Sequence, residues 1–259
     1  MSEPQLPHPG WHQVQPRIPD TPQRRRLERQ RGIREIVFGA QDGILTTLGI
    51  ITGVGAADGQ RFTVIMSGLL AMFAGALSMG VGEYLGRKAE RDVVTATIEM
   101  EKAEMAADPQ SEFAEQVAYY RLKGFTPEEA VMIVSRLTQH PEIYLYEMVR
   151  DEFGIDPRVA DDPGSRASVF MGVSYAIGSL IPIVAFLLPV STPWSIGVAL
   201  GLAVLALFAV GWYAGSLASR NPIRKGLELV AYGCAIFLLS YLVGRFVPPL
   251  FGHAPVAVG

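Results

Sequence analysis

Five apolar segments dominate this chain of 259 residues. Each reaches the roughly 20 residues that an α-helix needs to cross about 30 Å of hydrocarbon. They cover about 35–57, 62–86, 167–189, 194–218 and 226–247. Because a segment in lipid must satisfy its backbone hydrogen bonds internally, each is expected to be a helix. The sequence therefore predicts an all-α membrane protein with five transmembrane helices.

The composition favours the same class of protein. Hydrophobic residues make up 49% of the chain, charged residues make up 18%, and mean hydropathy is +0.26, which is too apolar for an ordinary soluble domain. Residues 1–23 are polar and proline-rich and lack an apolar h-region, so we expect no signal peptide. A disordered tail is expected over 1–30. The single cysteine, Cys234, excludes an intrachain disulfide.

Basic residues predict which side of the membrane each loop occupies. They concentrate before the first apolar segment and between the fourth and fifth: Arg24, Arg25, Arg26, Arg29, Arg31, Arg34, Arg220, Arg224 and Lys225. The positive-inside rule places both regions in the cytoplasm. With five crossings, the N-terminus and the long insert after the second segment are then cytoplasmic and the C-terminus is outside. A basic arm beside a membrane more often follows this rule than binds nucleic acid, so no nucleic-acid partner is expected.

These features divide the chain into four parts. The tail over 1–30 precedes the first two transmembrane helices in 31–88, and the last three helices lie in 166–250. Between them, 89–165 forms a polar insert. Nothing from Gly86 to Ala107 breaks a helix, so we expect the second span to continue straight into this insert.

The insert carries the end signals of three further helices. Asp108-Pro109 is typical of an N-cap followed by proline at the first helical position, and Gly124 is a stop signal. Thr126-Pro127-Glu128-Glu129 is a capping box that opens the next helix. A third helix runs from Pro141 to about Phe153 and ends at Gly154. The insert is therefore predicted to be a small helical domain.

Five glutamates of the insert lack a local basic partner. Glu101 and Glu104 are three residues apart and share one helix face, as do Glu112 and Glu115. Like charges at this spacing cost roughly 0.2–0.5 kcal/mol per pair. None of the four, nor Glu152, has a Lys or Arg three or four residues away. The pattern indicates a divalent cation as the partner, with a solvated acidic face as the alternative.

Met148 stands four residues before Glu152 on the third insert helix. A thioether beside carboxylate oxygens favours transition metals over Mg²⁺ and Ca²⁺. The alternative is that Met148 fills the core of the insert, which is the commoner role of a methionine at helical spacing.

Two acidic residues fall within the first predicted span. Glu35 lies near its cytoplasmic end and Asp42 lies seven residues deeper, close to two helical turns, so both occupy one helix face. An intramembrane carboxylate costs at least about 2.5–3.5 kcal/mol, which favours a functional role for Asp42. Glu35 could instead pair with a basic residue at the interface. The second span carries Met79 and Glu83 four residues apart.

Together these residues resemble the vacuolar iron transporter family, whose members move Fe²⁺ and related divalent metals out of the cytosol. The resemblance covers about 31–247 and is most specific at Asp42-Gly43, at Ser78-Met79-Gly80 and in the glutamate-rich insert. It implies a homodimer with five transmembrane helices per subunit. It also implies a cytoplasmic helical metal-binding domain inserted between the second and third of them, and protons that move against metal.

The resemblance further implies roles for individual residues. Asp42 and Met79 would line the translocation path, with Glu35 nearer its entrance. Glu83 is a further candidate for the path because of its position four residues after Met79, not because of the resemblance. A cytoplasmic metal cluster would comprise Glu101, Glu104, Glu112, Glu115, Met148 and Glu152. Two positions depart from the family pattern. Val149 replaces a second methionine, and Ala71 stands where some relatives have a glutamate.

The sequence thus predicts a proton-coupled exporter of divalent metal, with Fe²⁺ as the main substrate and Mn²⁺, Co²⁺ or Zn²⁺ as others. No organic cofactor is expected. The membrane would be the plasma membrane in a bacterium or an organelle membrane in a eukaryote. Two other classes remain open. A ferritin-like oxidase would need Glu-x-x-His motifs, and His8, His12, His140 and His253 do not supply one. A membrane metal sensor would have no need of Asp42.

Overall fold

The computed structural model describes residues 22–57, 59–218 and 220–251. Regular structure in these ranges is entirely helical. The α-helices are α1 Pro22–Ala57, α2 Arg61–Ala107, α3 Pro109–Leu122, α4 Pro127–Leu137, α5 Pro141–Phe153, α6 Ser165–Val184, α7 Thr192–Leu217 and α8 Pro222–Leu250. Two short 3₁₀ helices cover Pro157–Asp161 and Ala185–Leu187. The all-α fold class is confirmed.

Five helical segments are long and apolar enough to cross a membrane, as the sequence predicts. They are Ile33–Ala57, Arg61–Ala107, Ser165–Leu187, Thr192–Leu217 and Pro222–Leu250. α2 has 47 residues and extends about 70 Å at 1.5 Å per residue, more than twice the hydrocarbon thickness. Its long apolar stretch ends near Leu85, and the more polar part that follows belongs to the insert.

The expected disordered tail falls mainly on residues 1–21, which lie outside the described residues. The boundary at residue 30 differs from the structure, because α1 already begins at Pro22. Proline is favourable at the first position of a helix, and the Gln, Arg, Leu and Glu residues after it are good helix formers. Residues that favour a helix therefore begin at Pro22, eight residues before the predicted boundary.

The chain divides into two compact units, and the transmembrane helices form one of them, residues 21–84 and 165–259. In this unit α1 packs against α6, α7 and α8, and α7 packs against α8. Ile44, Leu48 and Ile51 of α1 are buried in its core together with Phe186 and Leu207. α1, which carries both intramembrane acidic residues, thus contributes one face to the core of this unit.

Glycine allows α1 and α6 to pack in direct backbone contact. A Cβ on Gly43 would overlap the carbonyl oxygen of Tyr175 and lie 3.0 Å from the amide nitrogen of Ser179. A Cβ on Gly178 would overlap the carbonyl oxygen of Ala40. Small residues at helix interfaces are what permit such contacts in membranes. Gly43 therefore allows α1 to pack closely against α6.

Gly43→Ala should therefore destabilise the membrane bundle by about 1–3 kcal/mol, because the added methyl group forces α1 and α6 apart. Gly201→Ala is the matched control, since a Cβ at Gly201 would have no neighbour from another helix within 4 Å among the described residues. Thermal unfolding of both variants in the same detergent measures the difference. Equal melting temperatures for the two variants would contradict the contact.

The other unit contains residues 85–164 and has the local structure that the sequence predicts. Asp108 caps α3 by accepting a hydrogen bond from the amide of Ser111 at 3.1 Å. Thr126 and Glu129 form both hydrogen bonds of the capping box at the start of α4. Gly154 ends α5 with a φ of 66°, in the left-handed region that favours glycine.

Two apolar clusters hold this unit together. In the first, Val94 and Ile98 of α2 pack against Leu145, Tyr146 and Val149 of α5. In the second, Val134 of α4 packs against Tyr144 and Met148 of α5, with residues of α3 at its edge. α5 therefore contacts α2 through one face and α4 with α3 through another. Its other positions can present polar groups between α2 and α3.

Candidate metal centre

Glu101 is the most unusual side chain of the insert. It is fully buried, and neither carboxyl oxygen has a hydrogen-bond donor within the described residues. The group that reaches it is another carboxyl, that of Glu152 on α5. Two carboxyls can share a hydrogen bond only when one of them is protonated. A buried carboxylate without a donor is costly, so this position needs a proton or a cation.

The surroundings of Glu101 are negatively charged. Burial, followed in order of effect by the charges of Glu152, Glu112, Glu104 and Glu115, raises the pKa of Glu101 to about 7. These five residues come from α2, α3 and α5. The structure therefore brings together, in one electrostatic group, all five glutamates that lack a local basic partner in the sequence.

Two neighbours of Glu101, Glu112 and Glu152, also have raised pKa values. The pKa of Glu112 is raised by burial and by the charges of Glu115 and Glu104. The pKa of Glu152 is raised by burial and by Glu115, Glu112 and Glu104, and the contact with Glu101 partly opposes this. Each shift means that the site holds protons more tightly than separate carboxylates do, and a divalent cation satisfies the same need.

The glutamates lie in electrostatic range but not in coordination geometry. Among the described residues, no three Asp, Glu, His or Cys side chains are close enough together to hold one ion. Carboxylates repel one another, and Glu104 and Glu115 extend to the surface of the unit. To bind one metal ion, the glutamate side chains would have to converge on the position of Glu101.

Met148 is buried in the apolar cluster that contains Tyr144 and Val134. This environment agrees with the interpretation of Met148 as core filler, although Tyr144 connects that cluster to the glutamates. Val149, where the resemblance implies a second methionine, is fully buried in the other apolar cluster, against Ile98. Its side chain therefore contributes packing.

Tyr144 is a polar residue that the sequence analysis did not identify. It is 5% exposed, and its hydroxyl has no hydrogen-bond partner among the described residues. Burial, with smaller effects from Glu112 and Glu101, raises its pKa to about 12. The neutral hydroxyl can donate one hydrogen bond to a carboxylate of the group. A single tyrosine on an apolar helix face gives no sequence signal for this position.

Asp151 lies next to Glu152 but has a different role. Its Oδ2 accepts a hydrogen bond at 2.8 Å from Nε2 of Gln116. Gln116 is a buried residue with 1% of its surface exposed. The same oxygen forms an ion pair with Lys123, and the Lys123 ammonium lies 4.4 Å from the centre of the Tyr120 ring. This network joins α3 to α5 and compensates the charge of Asp151. Glu101 and Glu152 have no equivalent basic neighbour in the contacts described.

The candidate residues of the transport path lie on α1 and α2. Glu35 is 5% exposed, while Asp42, Met79 and Glu83 are half-buried. Glu35 and Asp42 fall on one continuous helix, as predicted.

Tyr175 of α6 connects these two helices. It is buried, its hydroxyl lies in hydrogen-bond range of Thr46, and the charge of Asp42 acts on it. Its ring also occupies the space beside Gly75 of α2, where a Cβ would overlap it. A polar residue within an apolar span was the only sequence signal for Tyr175, and the sequence analysis did not use it.

Comparison with known proteins identifies the family of this chain. The sequence profile of the VIT family matches residues 33–245. This chain belongs to the VIT family. The matched region includes all five transmembrane segments and the whole insert, so the family assignment covers both groups of candidate residues.

The VIT family member is similar to several curated proteins. It is 26% identical to vacuolar iron transporter 1 of Arabidopsis thaliana over 216 residues, 83% of this chain and 86% of the relative. The vacuolar iron transporter of Toxoplasma gondii is 26% identical over 228 residues, 85% and 76% of the two chains. That of Plasmodium falciparum is 27% identical over 220 residues, 82% and 81%. The resemblance inferred from the sequence is confirmed.

Proposed function

We propose that this protein is a proton-coupled transporter that moves divalent metal ions, chiefly Fe²⁺, out of the cytosol. The observation that carries the proposal is Glu101, a buried carboxyl without a donor, surrounded by four further glutamates. The names of the relatives support iron as the substrate. Mn²⁺, Co²⁺ and Zn²⁺ are further substrates because carboxylate oxygens accept all of them.

The insert would collect metal from the cytoplasm. Glu101, Glu112 and Glu152 are the partly or fully buried members of the group and would form the inner ligands. Glu104 and Glu115, which are exposed, would capture ions first. Met148 would add a soft ligand if its side chain rotated toward Glu101. Binding releases the protons that raised pKa values keep on the site, so metal affinity rises with pH.

The membrane bundle would perform the translocation step. Metal would pass Glu35 and bind at Asp42 and Met79, with Glu83 at the mouth of α2. Protonation of Asp42 from the far side would neutralise its charge and release the ion. Tyr175 and Thr46 would hold the Asp42 side of α1 in place. We further propose that two subunits form a homodimer and that α2 lines the path between them.

Uptake into proteoliposomes tests this function. Vesicles with an acidic interior should accumulate Fe²⁺ in proportion to the imposed pH gradient, and each ion entering should alkalinise the lumen. Mn²⁺, Co²⁺ and Zn²⁺ are compared at equal concentration, with protein-free vesicles as the control. A protein that binds Fe²⁺ but gives no flux under any gradient would be a membrane metal sensor, and the transporter proposal would be wrong.

A further inference from the structure

A basic cavity of about 710 Å³ lies at the junction of α7 and α8. Its charged lining consists of Arg220, Arg224 and Lys225 with one acidic residue, Glu228. The rest of the wall is formed chiefly by small residues at the end of α7. This region has no part in the proposed metal path.

Close helix packing creates the floor of the cavity. A Cβ on Gly215 of α7 would lie 2.8 Å from the Cα of Pro222 and 3.1 Å from the Cβ of Lys225. The two helices therefore touch at Gly215, and space opens beyond that contact. The first amides of α8 are already used, because Oδ1 of Asn221 accepts hydrogen bonds from Ile223 and Arg224. The positive character of the cavity therefore comes from its side chains.

The positive charge is only partly compensated. Nζ of Lys225 lies 3.0 Å from both carboxylate oxygens of Glu228, so these two charges neutralise each other. Arg220 and Arg224 are exposed, and within residues 22–57, 59–218 and 220–251 neither has an acidic partner. Two guanidinium groups thus face one cavity, and each can bind a phosphate through two parallel hydrogen bonds.

The cavity lies at the edge of the membrane. α7 and α8 are both long and apolar enough to span it, so their junction falls at the level of the lipid headgroups. Trp212 and Tyr213, 49% and 46% exposed, lie near the end of α7, and aromatic residues are enriched at this level. We propose that the cavity binds the headgroup of an anionic phospholipid through Arg220 and Arg224, with the acyl chains beside α7.

The test compares lipids on the purified full-length protein. Phosphatidylglycerol should raise the melting temperature more than phosphatidylcholine, and native mass spectrometry should show it retained on the protein. In Arg220→Gln/Arg224→Gln the apparent affinity for phosphatidylglycerol should fall roughly thirty-fold, the effect of losing two basic side chains at an anionic surface. Arg121→Gln/Arg136→Gln removes the same charge from exposed positions of the insert and should keep the wild-type affinity.

Three outcomes would overturn the proposal. One is equal binding of phosphatidylglycerol by the wild type and the Arg220/Arg224 variant. Another is an equal loss of binding in the two double variants, which would indicate a general charge effect. The third is full stabilisation by inorganic phosphate at the same concentration as the lipid, which would identify a site for a soluble anion.

Discussion

Asp42→Asn should abolish pH-driven metal flux while leaving a folded protein. Asparagine keeps the volume of the side chain but removes its negative charge and its ability to bind and release a proton. Asp42 is half-buried on α1. Replacing it with asparagine should leave the packing around Ile44 and Leu48 unchanged. Loss of the ionic ligand and of the coupling proton together predicts a flux below one-hundredth of the wild-type rate, equivalent to roughly 3 kcal/mol.

The measurement is Fe²⁺ uptake into proteoliposomes at equal protein density, with thermal unfolding as the check on folding. Asp92→Asn is the matched control, because Asp92 is an exposed residue of α2 whose contact with Arg91 spans 3.8 Å. Exposed pairs of this kind contribute little to stability, so the control should transport normally. Flux in Asp42→Asn near the wild-type rate would exclude Asp42 as the proton-coupled site.

Local features of the structure could be predicted from the sequence because local chemistry determines them. The capping box at Thr126 and the stop at Gly154 each depend on a few consecutive residues. The continuation of α2 to Ala107 follows from the absence of any breaker. Each of these features is decided by the side chains and φ angles of neighbouring residues.

Long-range packing could be predicted only in part. A glycine pattern indicates that a helix can approach a neighbour, but not on which face. Gly211 and Gly215 do meet α8 in close contact, whereas a Cβ on Gly197 or Gly201 would have no neighbour from another helix within 4 Å in the part of the chain that the structure describes. Contact between helices of the described residues therefore explains Gly211 and Gly215, but not Gly197 and Gly201.

The same distinction between local features and long-range packing applies to the candidate site. Missing basic partners at helical spacing identified the five glutamates, because that argument needs only one helix at a time. The contact of Glu101 with Glu152 joins α2 to α5, and the link between Gln116 and Asp151 joins α3 to α5. Both depend on how the helices pack. For this reason the sequence could not show that Glu101 is buried while Asp151 is neutralised by Lys123.

Glu101→Gln should make the metal-free insert more stable at pH 8 and remove its response to metal. The pKa of Glu101 is raised in the folded protein to about 7 from the ordinary glutamate value of 4.5, so the folded state binds its proton more tightly. The free energy of unfolding is then highest below about pH 4.5, falls as the pH rises to about 7, and stays low above it. The free energy of unfolding of the wild type falls by roughly 3 kcal/mol over this pH range, and Glu101→Gln avoids this loss.

Bound metal should offset the stability that the wild type loses as the pH rises. A cation bound to Glu101 replaces the missing proton, and at a hundredfold excess over Kd it stabilises the folded insert by about 2.7 kcal/mol. Hydrogen exchange of α3 and α5 in the full-length protein, with and without Mn²⁺ at pH 5 and pH 8, measures both effects. Glu90→Gln, at an exposed position of α2, should behave as the wild type. If Mn²⁺ protected Glu101→Gln as strongly as the wild type, the buried carboxyl would not be a metal ligand. If Mn²⁺ protected neither protein, the glutamates would be a solvated acidic face.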